Sequence, residues 1–379
     1  MTDRLAALTV HAWDITTGRH LARIPYTACS WSDSISEPGS MSVDIVLNEV
    51  TERMDEAGVG VYAMLRPWRV ILSVQRGPGM VKHAGPVTSR EWDPVARRLS
   101  LSCGGGWTLL GRRLVLNHNL DRSFRDGDVL VDDEHPAGDW LLHLTGSYSD
   151  IARGLVAEAM KWGALPIALP AVTGGTYERN YGGYDLATTA DRLSDLAGLE
   201  DGDEIRFTPR VIQSDAGDRL EFLLQSAREI VDHEWRMNAA APGQRCYFTK
   251  YGEDGAPLTT DVWAAGGKDD DKTVMARRKG STLTAQGWPV MQTADKSHTT
   301  VSILATLQAY AASQLAAGDR DSESFALKAG EEWDMHVGDH MDVRISDLLL
   351  GDRSFALKIT DVSGSADSDW ITLQARRRT

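Results

Sequence analysis

Met341-Asp342-Val343-Arg344-Ile345 and Phe355-Ala356-Leu357-Lys358-Ile359 decide the fold class of this chain. In both, apolar residues at odd positions alternate with small or charged ones at even positions. Successive side chains of an extended backbone point to opposite faces, so each stretch predicts a strand with one buried face. A Gly338-Asp339 turn precedes the first, a Gly351-Asp352 turn separates the two, and residues 325–327, 333–335 and 370–373 add short apolar runs. The pattern predicts a compact antiparallel barrel over 320–379, entered from a helix that ends near Ala317.

Working outward, the same period governs the N-terminal part. Leu8, Val10 and Ala12 alternate with Thr9, His11 and Trp13; a Thr16-Thr17-Gly18 turn follows, then an extended run over 21–26. Met41, Val43, Ile45 and Leu47 alternate with Ser42 and Asp44, and residues 68–74, 81–88 and 99–103 continue a meander punctuated by Gly77-Pro78-Gly79 and Asp93-Pro94. Closely spaced antiparallel strands with turn residues between them predict a second barrel or sandwich, over 1–112. The middle changes period. Ser149 is read as the N-cap of a helix with Ile151, Leu155, Ala159 and Trp162 on one stripe and Gly163 as its stop, and Asp150 suits the positive end of the helix dipole. A second helix is expected over 186–199, with Leu186, Ala190, Leu193 and Ala197 facing inward, and a third over 301–317, with Leu304, Leu307, Ala311 and Leu315 on one face.

Composition bounds the function. A chain of 379 residues is expected to divide into two to four units at roughly 100–200 residues per domain. No apolar run approaches the ~20 residues of a spanning helix, and the N-terminus lacks a basic start followed by an apolar core, so neither a membrane anchor nor a secretory signal is expected. Cys29, Cys103 and Cys246 are odd in number and far apart, which predicts buried free thiols rather than disulfides or a metal site. A formal charge of -14 argues against a protein that grips nucleic acid by neutralising phosphates. Arg277-Arg278-Lys279 lies close to Asp269-Asp270-Asp271, giving a mixed local field, and Arg376-Arg377-Arg378 is read as a solvated tail. Acidity suits another relation to DNA, because the wall of a conduit works best when it repels phosphates.

Several stretches carry a family resemblance. The C-terminal block is similar, in order and spacing, to the closing barrel of the tail hub (baseplate hub) proteins of long-tailed bacteriophages, a set that includes minor tail proteins of actinobacteriophages. Ser30-Trp31-Ser32-Asp33-Ser34-Ile35-Ser36-Glu37-Pro38-Gly39-Ser40 resembles the small-residue stretch and Pro-Gly that precede a strongly alternating strand in that family. Thr176-Tyr177-Glu178-Arg179-Asn180-Tyr181-Gly182-Gly183-Tyr184-Asp185 resembles the loop before a family helix, and Glu204-Ile205-Arg206-Phe207-Thr208-Pro209 the strand after it. The likeness thins over 231–300.

The resemblance implies a mainly β fold with α+β modules, made of two tube-like antiparallel β-barrels plus smaller α/β domains. It places the first barrel at 1–112, an α/β domain at 113–203, and a discontinuous second barrel at 204–233 and 320–379 around an insert at 234–319. Strands 205–209 and 220–225 would then pair with the C-terminal block. It further implies a homotrimer, synthesised in the host cytoplasm and placed at the tail tip of a siphophage virion, whose two barrels per chain join the sixfold tail tube to the threefold tip and form part of the DNA ejection conduit. Its partners would be a distal tail or tail-tube protein, the tape measure protein, and receptor-binding or other tail-tip proteins, with DNA only in transit.

Motifs for chemistry are absent. There is no HExxH, no GxSxG, no P-loop and no GxGxxG after a strand. Gly104-Gly105-Gly106 leads into residues 107–110 without a phosphate-binding Lys and is read as a bend. His135 beside Asp132-Asp133-Glu134, and His233 beside Asp232 and Glu234, have the residue types of metal or acid/base sites but are read as solvated or capping groups. Asp319, Asp321 and Glu323 alternate like the start of a calcium loop that lacks its glycine and closing glutamate. No catalytic, cofactor-binding or metal-ligating residue is assigned, and no enzyme activity is expected. Two alternatives stay open: a tail-associated cell-wall hydrolase or peptidase, and a carbohydrate-binding tail-tip adhesin hidden in the insert. For the latter, the twelve tryptophans are the motive, although Trp13, Trp31, Trp68, Trp92 and Trp107 are more simply core or interface fillers.

Overall fold

The computed structural model describes residues 7–54, 58–77, 79–123, 141–199, 202–215, 217–269, 272–296, 301, 303–319 and 322–378. Alternating apolar and polar residues build its first half from β1 (Leu8–Asp14), β2 (His20–Ile24), β3 (Ala28–Ser34), β4 (Ser40–Val46), β5 (Val70–Arg76), β6 (Val81–Asp93) and β7 (Arg98–Gly104). A one-turn helix, α1 (Val61–Met64), lies between β4 and β5. Met41, Val43 and Ile45 of β4 are buried while Ser40 and Ser42 are exposed, which is the alternation the sequence predicts. β3 was legible only as a small-residue stretch, yet Cys29 and Trp31 point into the core and Ser30 away from it.

The middle contains β8 (Leu141–Gly146), α2 (Tyr148–Lys161), β9 (Ile167–Ala168), β10 (Tyr177–Gly182), α3 (Thr189–Ala197), β11 (Glu204–Ile212) and β12 (Arg219–Ala227). The cap of α2 is Ser147, not Ser149. Its hydroxyl accepts from Asp150 N at 3.1 Å, while Asp150 Oδ2 accepts from Ser147 N at 3.1 Å, a reciprocal capping box that fixes the helix start. Thr188 and Asp191 form the same box on α3, so this helix starts after Leu186, which is exposed in a left-handed conformation. The expected loop 176–185 holds β10, which pairs with β8.

The second half comprises β13 (Glu234–Asn238), β14 (Cys246–Asp254), β15 (Asp261–Asp269), β16 (Lys272–Lys279), α4 (Thr282–Ala285), β17 (Gln292–Asp295), α5 (Leu304–Gly318), β18 (Ser322–Gly330), β19 (His340–Asp347), β20 (Gly351–Ser365) and β21 (Trp370–Arg377). β15, β16 and β17 form a small sheet of their own, against which Leu307 and Ala311 of α5 pack. Residues 331–333 form a 3-10 turn ending at Asp334 in a left-handed conformation, instead of the short strand expected at 333–335. The three arginines 376–378 are not a free tail: Arg376 and Arg377 end β21, paired with Ser324, Lys358 and Leu357.

The partners of the C-terminal block also differ from expectation. β11 pairs with β12 and β12 with β9, whereas β13 pairs in parallel with β19 and β14 antiparallel with β18. Among the described residues a 13-stranded sheet runs in the order β2-β1-β5-β6-β7-β4-β3-β20-β21-β18-β14, with β19 on β20 and β13 on β19. No ladder among the described residues closes either half into a barrel. Each half does contain one long strand that changes neighbours at an irregularity: β6 passes from β5 to β7 near Val87, and β20 passes from β19 to β3 near Ile359. Such irregularities let a strand turn a corner between sheet layers. One core lies under the first half around Val10, Val43 and Leu72, one under the second around Phe325, Met341 and Leu357, and one in the middle around Trp107, Ile151 and Phe222.

Candidate functional site

The joint between the halves is the ladder of β3 on β20, with Ser30 opposite Ser365, Ser32 opposite Ser363 and Ser34 opposite Asp361. Gly364 sits where a Cβ would come 2.5 Å from Trp31 Cζ2, so the indole can lie directly over the strand. On the side away from the core, register lines up Ser102, Ser42, Ser30 and Ser365, and beside them Ser40, Ser32, Ser363, Thr372 and Lys328. Ser32 and Ser40 hydroxyls are 2.9 Å apart. These residues line an open concavity of about 670 Å³ that crosses the joint, and Lys328 is its one charged lining residue among those described. The wall is therefore hydroxyl-bearing and nearly free of fixed charge.

Behind this wall, charged side chains tie the modules together. Arg76 of β5 pairs with Glu331, whose side chain is 1% exposed, and Lys82 of β6 pairs with Asp334. His83 donates to Asp33 at 2.8 Å and to the Gly104 carbonyl at 3.0 Å. Burial pushes its pKa down, but the Asp33 charge and the two hydrogen bonds outweigh this and hold it above the ordinary value. A ring that donates from both nitrogens is an imidazolium, which agrees with that direction. Arg206 of β11 donates to the Val337 carbonyl at 2.7 Å, to Asp232 at 2.6 Å and to Gln225 at 3.0 Å, fixing the β11–β12 hairpin to the C-terminal block. Asp33, Lys82, His83, Arg206, Asp334 and His336 are among the residues around a cavity of about 90 Å³ at this junction.

The candidates named from the sequence fall in several places. Asp232 is taken by Arg206, Glu234 is exposed, and His233 faces His336 and Asp339, residues far away in sequence that no local pattern would have joined to it. His135 and the acids beside it lie outside the described residues, as do Asp270, Asp271 and Asp321. Gly104-Gly105-Gly106 makes a tight corner: a Cβ on neighbouring Gly85 would meet the Gly104 carbonyl oxygen at 1.6 Å, and the Thr108 hydroxyl accepts from Gly105 N at 3.2 Å. Arg277 forms two 2.7 Å hydrogen bonds to Asp261 and lies over the Trp263 ring, so it is part of the insert rather than a free basic patch. Trp13, Trp31 and Trp107 are buried, Trp68 is partly covered by Arg112, and Trp92 is exposed.

Neither a protein-family model nor a curated protein sequence matches this chain. Solved structures do. The prophage MuSo2 43 kDa tail protein from Shewanella oneidensis superposes with a TM-score of 0.53 at 10% identity, over 98% of each chain. The tail protein from Neisseria meningitidis MC58 superposes with a TM-score of 0.51 at 13% identity, over 98% of this chain and 96% of that one. The chain thus has the fold of these tail proteins, mainly β with large antiparallel sheets and smaller mixed modules. At such identities the likeness is one of fold.

Proposed function

We propose that the chain is a non-enzymatic virion protein, the baseplate hub at the tail tip of a siphophage of the actinobacteriophage type. The observation that carries this reading is the unbroken sheet across β3 and β20, with its concave face of serine and threonine. Apart from Lys328, such a wall neither attracts phosphates nor adds charge to a chain already at -14, which suits a passage through which DNA slides. In this reading the two halves of the sheet are the two tube-like barrels of each subunit. Three subunits then present six similar units to a sixfold tail tube, with the tape measure protein and receptor-binding tail-tip proteins as further partners. Edge strands β2 and β14, each paired on one side only among the described residues, supply backbone groups that a neighbouring subunit can use.

Light scattering tests the assembly. A particle of three times 41.5 kDa is expected, with subunit contacts on the order of 2,000 Å² or more. Monomer alone at micromolar concentration, unchanged by adding tail-tube protein, would overturn the reading.

A further inference from the structure

We propose that His233, His336 and Asp339 form a site for a divalent transition-metal ion, with Zn²⁺ as the ion the donors suit best. The inference is independent of the role in the virion. One ligand atom from each residue lies within 4.8 Å of the other two. The turn that presents Asp339 depends on Gly338, whose φ is 94° and whose Cβ position would lie 2.3 Å from the Ile230 carbonyl oxygen. Asp339 is fully buried, and no lysine or arginine among the described residues pairs with it. Its carboxylate accepts from His233 N at 3.0 Å, Trp235 Nε1 at 2.9 Å and His336 N at 3.0 Å. Three N–H donors orient the carboxylate as the outer shell of a metal site does, and of its roughly four lone pairs leave one, on Oδ1.

The imidazoles complete the set. His233 Nδ1 is 3.9 Å from Asp339 Oδ2, and the His233 and His336 rings are stacked with centroids 6.4 Å apart. His336 Nδ1 is buried without a hydrogen-bond partner, while its Nε2 lies 3.9 Å from Asp334. Zinc bonds of about 2.0–2.2 Å place ligand atoms roughly 3.4 Å apart, so closing separations of up to 4.8 Å needs a shift of up to about 1.4 Å, which rotation of the His233 and His336 side chains can supply. Two nitrogens and one carboxylate oxygen suit Zn²⁺, Co²⁺ or Ni²⁺ over Ca²⁺ and Mg²⁺, which take oxygen ligands. Water completes the shell on the open His233 side. The ion would staple the segment leading into β13 to the turn that starts β19, holding the parallel ladder between them.

The test uses the full-length chain without a polyhistidine tag, stripped with chelator and titrated calorimetrically with ZnCl2. About one equivalent per chain at micromolar affinity or tighter is expected, with visible absorption bands when Co²⁺ replaces zinc and a rise in Tm on metal addition. His233→Ala and His336→Ala should each weaken binding by about tenfold or more and remove the cobalt bands while circular dichroism stays unchanged. Absence of heat and of cobalt bands in the wild type overturns the proposal. So does undiminished binding in the doubly substituted chain, which would place the ion elsewhere.

Discussion

His11 is a base held without its proton. Its ring is hydrogen-bonded to His20 at 3.1 Å and to Thr9 at 3.0 Å, and burial, followed by the charges of His20 and Arg23, lowers its pKa from 6.5 to about 4. A folded-state pKa below the unfolded value means that the unfolded chain binds the proton first. This contribution to stability is therefore complete above about pH 6.5 and lost as pH falls towards 4. Urea unfolding of the wild type and His11→Asn across that range should show a steeper loss in the wild type; parallel curves would refute the assignment. Arg76 and Glu331 pose a different problem, because both are buried and each neutralises the other. Glu331→Gln takes the carboxylate away from Arg76 and from Lys82, 3.9 Å from it, and should cost about 3–5 kcal/mol, whereas replacing Arg76 and Glu331 together with apolar residues should cost much less. Urea midpoints of the single and double variants separate the two cases.

At the scale of elements, local chemistry sets where helices begin. Ser147→Ala removes the acceptor for Asp150 N and should cost about 1 kcal/mol, read as a shift in thermal unfolding. The corner where β6 meets β7 is set by backbone proximity instead. Gly85→Ala would press a methyl into the Gly104 carbonyl, so the two strands must separate, and a loss of about 1–3 kcal/mol or more is expected. If this variant melts like the wild type, the corner is looser than the packing implies. The caps were present in the sequence as Ser-x-x-Asp and Thr-x-x-Asp spacings. Ser149 stands directly before Asp150, a spacing that suits the dipole but cannot close the reciprocal box, which needs the three-residue step from Ser147. The Gly85 contact had no local signature, since Gly104 reaches it only through the ladder.

For the whole molecule, the serine-lined concavity is the feature that the conduit reading depends on. Ser32→Lys, Ser42→Lys and Ser363→Lys together add positive charge across the joint without touching either core. Exposed charges contribute little to stability, so folding and subunit assembly should remain near wild type. DNA release from particles carrying the triple variant should slow, because phosphates would now be held in transit. Release at the wild-type rate from fully assembled particles would remove this face from the DNA path. The proposed metal site was half legible: His233 stood out with its acidic neighbours, but Asp232 pairs with Arg206 and Glu234 is exposed. The donors that face it come from the turn before β19, about a hundred residues away, brought close by a parallel ladder.

The sequence by itself determined which faces of the strands are buried. Met341, Val343 and Ile345, or Met41, Val43 and Ile45, need only the two-residue period of an extended backbone and the free energy of removing apolar area from water. It also determined most of the helical stripes, though Leu186 and Leu304 are exposed, and much of the turn placement, because capping, dipole and left-handed glycine preferences act within a few residues. Which strand lies beside which was decided by tertiary structure. The family resemblance assigned 205–209 and 220–225 to the C-terminal block and 234–319 to an insert, whereas β13 and β14 are the strands that join it, and β3 carried no sign that it would find β20, more than three hundred residues away. Backbone hydrogen-bonding groups are the same on every edge, so local pattern cannot choose a partner. The choice falls to long-range packing, here Trp31 over Gly364, Arg206 across to Val337 and Arg76 against Glu331.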